Sequence, residues 1–213
     1  LRRSRGLGDV YKRQPFISDT DTNPASSWAF TLGFTLTGAL MMPLSLQFYI
    51  ARRKWGERNK GSGIETMNLL ATISAAASGI SIIWISYTPW HEQMELHMIQ
   101  ARVIFGGLMI WALLSTAISF RMLELDSRFS SLFQARRGWT VFSLICLLGL
   151  AISVYSYAGV SLSIPEGHMG TVLECSDLGH PSLSVAAFFE WMMVIGLAGV
   201  SYTGAQEARL IDQ

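Results

Sequence analysis

The side chains best suited to proton or metal chemistry gather in two stretches of this sequence. Thr88 to Met98, TPWHEQMELHM, holds His91, Glu92, Glu95 and His97, and Ser161 to Pro181 holds Glu166, His168, Glu174, Cys175, Asp177 and His180. Neither stretch contains a Lys or Arg. His91 and Glu95 stand at i and i+4, a spacing two metal ligands can use but which is weak evidence for a metal. Three readings fit the set: solvated loop polarity, an acid-sensing surface built on imidazoles that titrate near about 6.5, or metal binding. There is no Walker loop, nucleophile elbow or HExxH pair, so the sequence assigns no catalytic residue, no metal and no cofactor.

One further carboxylate stands alone. Ser182 to Gly204, SLSVAAFFEWMMVIGLAGVSYTG, is 23 residues long and Glu190 is its single charge. At about 1.5 Å of rise per residue this run crosses a hydrocarbon core about 30 Å thick as a helix. A charge at that depth costs at least about 2.5 to 3.5 kcal/mol, so Glu190 is expected to face protein or water. Arg102, near the start of the apolar run Ile99 to Phe120, is long enough to reach it. Glu190, Arg102 and His97 are therefore predicted to form a buried polar cluster. Two roles compete for Glu190: an ion pair with Arg102 that fixes helix register, or the wall of a polar cavity for a lipid headgroup. With Glu190 in the same pocket, Asp19 and His97 serve in proton transfer only if the fold brings them within about 3 Å of a reacting group or a bridging water.

The elements that must position these groups are greasy helices. Half of the 213 residues are hydrophobic and 15% are charged, against about 25% charged in an ordinary soluble domain. The predicted fold class is all-α: an integral membrane helical bundle with spans at about 28–50, 66–87, 99–120, 139–160 and 182–204. Trp28 and Tyr49 sit where interfacial aromatics belong, and Pro43 is expected to kink the first span. Ala71, Ala75 and Gly79 recur at every fourth position, which lets another helix approach closely and places the second span inside the bundle. Cys146 falls mid-span and Cys175 in a polar loop, so no disulfide between them is expected.

Residues 1–14 are set apart, because SRGLGDVYKRQ resembles a translated sequencing adapter. They hold five of the 16 basic and one of the 15 acidic residues, so the remaining 15–213, read as one transmembrane domain, carry 11 against 14. The apparent basicity is then no argument for nucleic acid. Basic residues in successive connections number 0, 5, 0, 4, 0 and 1. This alternation puts Ala51–Glu65 (Arg52, Arg53, Lys54, Arg58, Lys60), Arg121–Gly138 and the C-terminus in the cytosol, and Pro15–Ser27 in a lumen or outside. A lumenal start implies one further span before Pro15, six in the complete protein. The five basic residues of Ala51–Glu65 would attract anionic lipids at about 1 kcal/mol each, or only set topology. Arg121–Gly138 carries apolar residues at helical spacing, so it is read either as a segment lying on the membrane surface or as a solvated loop.

PFISDTDTNP at Pro15 to Pro24, followed by an aliphatic span, resembles the P-[YF]-I-S-D-T-G-x-x-P-P-E signature of the DRAM (damage-regulated autophagy modulator) family within the Frag/DRAM/Sfk superfamily. His97 and the Glu190-Trp191 pair are similar to that family's lumenal-end His and C-E-W motif, and the likeness extends over Pro15 to Leu210. Asp21 stands where the family has Gly, Ala25 and Ser26 replace Pro-Glu, and Phe189 replaces Cys. Asp tolerates positive φ less well than Gly, so the turn at Asp21 is expected to differ. The resemblance implies a six-span protein of lysosomal, endosomal, ER-Golgi or plasma membranes, with Pro15, Ile17, Ser18, Asp19, Thr20 and Pro24 as a lumenal cap. It also implies membrane lipids and other membrane or cytosolic proteins as partners. Members are linked to autophagy and lysosomal function, to recruitment of a phosphoinositide kinase, or to lipid remodelling of GPI anchors. A non-enzymatic regulator and a lipid-remodelling enzyme or accessory factor both follow from it.

Overall fold

In lipid every backbone amide and carbonyl must be paired within the segment, which leaves the helix as the form for each apolar run. A computed structural model describes residues 15–22, 26–59, 63–90, 92–158 and 181–212. A short helix α1 (Asp19–Thr22) precedes α2 (Ser27–Asn59), α3 (Ile64–Ile85), α4 (Met94–Leu125), α5 (Ser130–Ala158) and α6 (Pro181–Ile211). Five of these are long and apolar enough to span a bilayer, and no strand occurs among the described residues. The protein is an all-α integral membrane bundle.

The helices are longer than the apolar runs, and this corrects the reading of two basic connections. Ala51–Glu65 is mostly helix, because α2 continues to Asn59 and α3 begins at Ile64. Arg121–Gly138 is neither a surface helix nor a solvated loop. α4 runs to Leu125, a 3-10 turn covers Ser127–Phe129, and α5 starts at Ser130. The apolar residues at helical spacing there pack inward: Met122, Phe129 and Leu132 join Trp55, Ile64, Ile118 and Ile211 in one buried cluster. Trp55 meets Phe129 edge to face with centroids 5.5 Å apart. Pro43 is accommodated within α2. The last span likewise outruns its apolar stretch, which ends at Gly204, because α6 continues to Ile211.

Neighbouring helices run antiparallel. Asn68 near the start of α3 donates to the Tyr49 carbonyl near the end of α2, while Thr31 near the start of α2 donates to the Ser86 carbonyl just past α3. The α2–α3 crossing is a backbone contact. A methyl group added at Gly38 would clash with the Gly79 carbonyl oxygen, and one at Gly79 would stand 3.0 Å from the Gly38 oxygen. Ala71, Ala75 and Gly79 thus form a buried stripe on α3. α3 packs extensively on α2 and α4, and α5 on α6, whereas α2 and α4 meet α6 at few points.

The surface is the inverse of a soluble protein's. Leu36, Ile73, Ile110, Ile145 and Ile195 face outward, while Asn68, Ser78, Ser115, Ser119 and Ser143 are fully buried. Apolar side chains meet hydrocarbon, and hydroxyls pair inside. We call the end that carries residues 15–22 the cap end, and the opposite one, where Arg52 and Arg136 lie, the arginine end.

Candidate functional site

At the cap end, residues 15–22 fold on themselves and then onto α6. The Asp19 carboxylate accepts the Phe16 amide at 2.8 Å, Thr20 Oγ1 donates to the Ile17 carbonyl at 2.6 Å, and Ser26 Oγ donates to the Thr20 carbonyl at 2.7 Å. These local bonds shape a turn that leaves the Ile17 amide pointing at α6. Glu190 Oε2 accepts that amide at 2.8 Å, and Trp191 Nε1 donates to the Pro15 carbonyl at 3.0 Å. Two short motifs, 173 residues apart, are therefore one joint. Asp19 is buried and lies within electrostatic range of Glu190.

Beneath this joint is a cleft of about 690 Å³, roofed by Ile17, Ser18 and Thr20 and walled by α2, α3, α4 and α6. Its walls are mainly apolar, with Phe30, Ile82, Phe105 and Leu197 among them. Gly33, Thr37 and Leu44 on α2 and Val194 and Ala198 on α6 line it and are also exposed, so the cleft opens sideways between these two helices. Glu190 and His97 both line it and are both buried. His97 bonds the Thr88 carbonyl through Nδ1 at 2.8 Å, and Thr88 Oγ1 donates to Gln100 Oε1 at 2.6 Å. A carbonyl only accepts, so Nδ1 holds the proton and Nε2 of the neutral ring is an acceptor.

The structure therefore brings Glu190, Trp191, His97, Pro15, Ile17, Ser18, Asp19 and Thr20 to one end of the bundle. It does not bring Arg102 there. Arg102 is exposed, and Glu190 takes the Ile17 amide instead of a guanidinium. The reason is helical phase: five residues after His97, Arg102 is turned about 140° around α4, away from the cleft. The predicted cluster of Glu190, Arg102 and His97 is corrected to a pair of cleft-lining groups and an outward arginine. Pro24, Lys60, His91, Glu166, His168, Glu174, Cys175, Asp177 and His180 lie outside the described residues, and Glu92 and Glu95 are exposed. Among the described residues no three His, Cys, Asp or Glu side chains come together as a metal site requires.

A second polar centre escaped the sequence reading. Arg52, Arg136 and Glu207 are each 1–2% exposed at the arginine end. Glu207 receives Arg52 through Nε at 2.5 Å and Nη2 at 3.1 Å, and Arg136 through Nη1. Arg136 also donates to Thr203 Oγ1 at 2.7 Å and Ser119 Oγ at 2.5 Å, and Arg52 to Ser115 Oγ at 3.3 Å. Four helices, α2, α4, α5 and α6, are tied by one carboxylate and two guanidiniums. Arg52 is thus a core residue, which corrects its place in a cytosolic basic loop. The signal was periodicity: Met193, Gly196, Val200, Thr203, Glu207 and Ile211 share one buried face of α6 at three- and four-residue steps.

The exposed charges at this end are largely paired with near neighbours. Arg53 meets Glu57 at 2.9 Å and Arg121 meets Glu124 at 2.9 Å. The Arg128 guanidinium beside Asp126 holds that carboxyl below the usual carboxylate range. Arg58 donates to the Ile211 carbonyl at 3.3 Å, which joins the end of α2 to the end of α6. These local partners weaken the attraction for anionic lipid that a bare row of five cations would exert.

The chain matches the family model described as the Frag1/DRAM/Sfk1/Cwh43P N-terminal domain over residues 6–207. No curated protein and no solved structure matches it.

Proposed function

Given that the chain belongs to the Frag1/DRAM/Sfk1/Cwh43P N-terminal domain family, we propose that it is a non-enzymatic membrane regulator of the DRAM type that acts by binding a membrane lipid in the cleft under its cap. The observation that carries this reading is the cleft itself, a space of about 690 Å³ with apolar walls, a sideways mouth toward the bilayer and Glu190 and His97 at its roofed end. Such a shape suits a lipid, whose apolar body enters from the membrane and whose head meets the polar roof. Family membership supports a setting in endomembranes and a role in autophagy or lysosomal function. The alternation of basic connections supports an arginine end in the cytosol.

Native mass spectrometry of the protein released from nanodiscs tests the reading. Wild type should retain a lipid-mass adduct, and Gly33→Trp, which plugs the mouth of the cleft, should lose it. A wild type with no adduct, or an adduct kept by Gly33→Trp, overturns lipid binding in the cleft.

One observation favours a second reading, a lipid-remodelling activity. His97 and Glu190 line the same cleft, and the His97 Nε2 acceptor is of the kind that takes a proton from a hydroxyl. Lipid turned over by wild type and left unchanged by His97→Gln, with the adduct retained in both, would establish it over the non-enzymatic one.

A further inference from the structure

The polar atoms around the cleft divide sharply by what they can still do. The Trp191 indole N–H is taken by the Pro15 carbonyl, and the Ile17 amide by Glu190. The hydroxyls of Thr20, Thr37, Ser45 and Ser201 donate to the carbonyls of Ile17, Gly33, Met42 and Leu197 at 2.6 to 3.0 Å. Glu190 as a carboxylate only accepts, and His97 presents an acceptor at Nε2. Ser18 is the remaining hydroxyl of the lining and can turn either way. Among the described residues no lysine or arginine lines the cleft. Around Glu190 and His97 the described lining therefore offers a guest mainly acceptors; the Trp111 indole N–H, a donor, lies about 21 Å further along α4. An anionic head would find no cationic donor there and would face the Glu190 carboxylate.

We propose that the cleft takes a membrane lipid whose head is an uncharged hydroxyl, a hydrogen-bond donor without phosphate, placed against Glu190 and His97. The proposal rests on the lipid-binding reading above and names the chemistry of the guest. The dimensions agree with one lipid of the leaflet at the cap end. From Glu190 to Ser201 along α6 the lining runs about 16 Å, and from His97 to Trp111 along α4 about 21 Å, between about half and about 70% of a hydrocarbon core of about 30 Å. Sterols and phosphate-free diacyl lipids share the required head chemistry.

The test uses the full chain in phosphatidylcholine nanodiscs with three photoreactive probes, a sterol, a diacylglycerol and a phosphatidic acid, with cross-links mapped by peptide mass spectrometry. The sterol or the diacylglycerol should label residues 33–45 or 190–201 about tenfold more than phosphatidic acid, the scale of one hydrogen bond to a charged acceptor. The stronger of the two identifies the source. Gly33→Trp should abolish that labelling, and its fold should survive because a side chain at Gly33 meets open space. Glu190→Gln keeps an acceptor for the Ile17 amide and adds an N–H donor, so it should narrow the preference over phosphatidic acid. Labelling of the cleft by phosphatidic acid as strong as by the others overturns the proposal while leaving lipid binding intact. No labelling of the cleft by any probe overturns both.

Discussion

Replacing Glu207 by Gln removes the negative charge from a site that holds two guanidiniums, each almost wholly out of solvent. Three donor atoms lose their ionic acceptor: Nε and Nη2 of Arg52 and Nη1 of Arg136. The substituted side chain can still accept at its amide oxygen, but its NH2 group would point N–H bonds at cations. Breaking a buried pair from one side costs about 3–5 kcal/mol, because the surviving charge remains desolvated. Here two cations survive, so the upper part of that range applies. At about 2–4 °C per kcal/mol for a chain of this size, the midpoint of thermal unfolding should fall by about 10–20 °C. Fluorescence-detected size exclusion of heated detergent samples measures it. Removing the charges together as Arg52→Met, Arg136→Met and Glu207→Leu should recover most of the loss, since an apolar replacement of a buried ionic triad is close to neutral. A Glu207→Gln protein that melts within about 2 °C of wild type, less than 1 kcal/mol, would refute the reasoning.

Three other outcomes follow from contacts already described. Gly38→Val should separate α2 from α3 at the Gly79 carbonyl and destabilise the bundle by about 1–3 kcal/mol, whereas Gly33→Ala should not, as heat denaturation of both will register. Trp191→Phe deletes the bond to the Pro15 carbonyl, worth about 1 kcal/mol, and should raise hydrogen exchange in residues 15–22 without altering exchange near Glu207. An epitope placed after residue 212 should be reached by antibody when only the plasma membrane is permeabilised; access that requires opening of the organelle would reverse the proposed orientation.

The five spans were legible because membrane helices announce themselves by length and composition, and the stripe of Ala71, Ala75 and Gly79 marked the close face of α3 correctly. The joint between residues 15–20 and Glu190-Trp191 was visible as two motifs, but not as a contact, because hydrogen bonds across 173 residues leave no local pattern. Arg102 misled for the opposite reason. It stands toward the same end of its span as Glu190, and position along the membrane normal says nothing about which way a side chain faces around its helix. Arg52, Arg136 and Glu207 were hidden by a rule that is sound on average. Positive charges near span ends report orientation, and counting them for that purpose treated each as solvated. Helices that continue about two turns beyond the hydrocarbon carry such residues back into protein, and only the phase of α6 through Thr203 and Glu207 distinguished an inward charge from an outward one.

The staple between Ile17 and Glu190 also sets a timetable. Ribosomes add about 5–20 residues each second, so on the order of ten to thirty seconds separate the synthesis of the two partners. Throughout that interval the amide and carbonyl of the early segment have only water as partner while four helices enter the bilayer ahead of α6. A nascent chain interrupted before α6 would lack both Glu190 and Trp191, so the same bond which closes the roof also reports that α6 has been made.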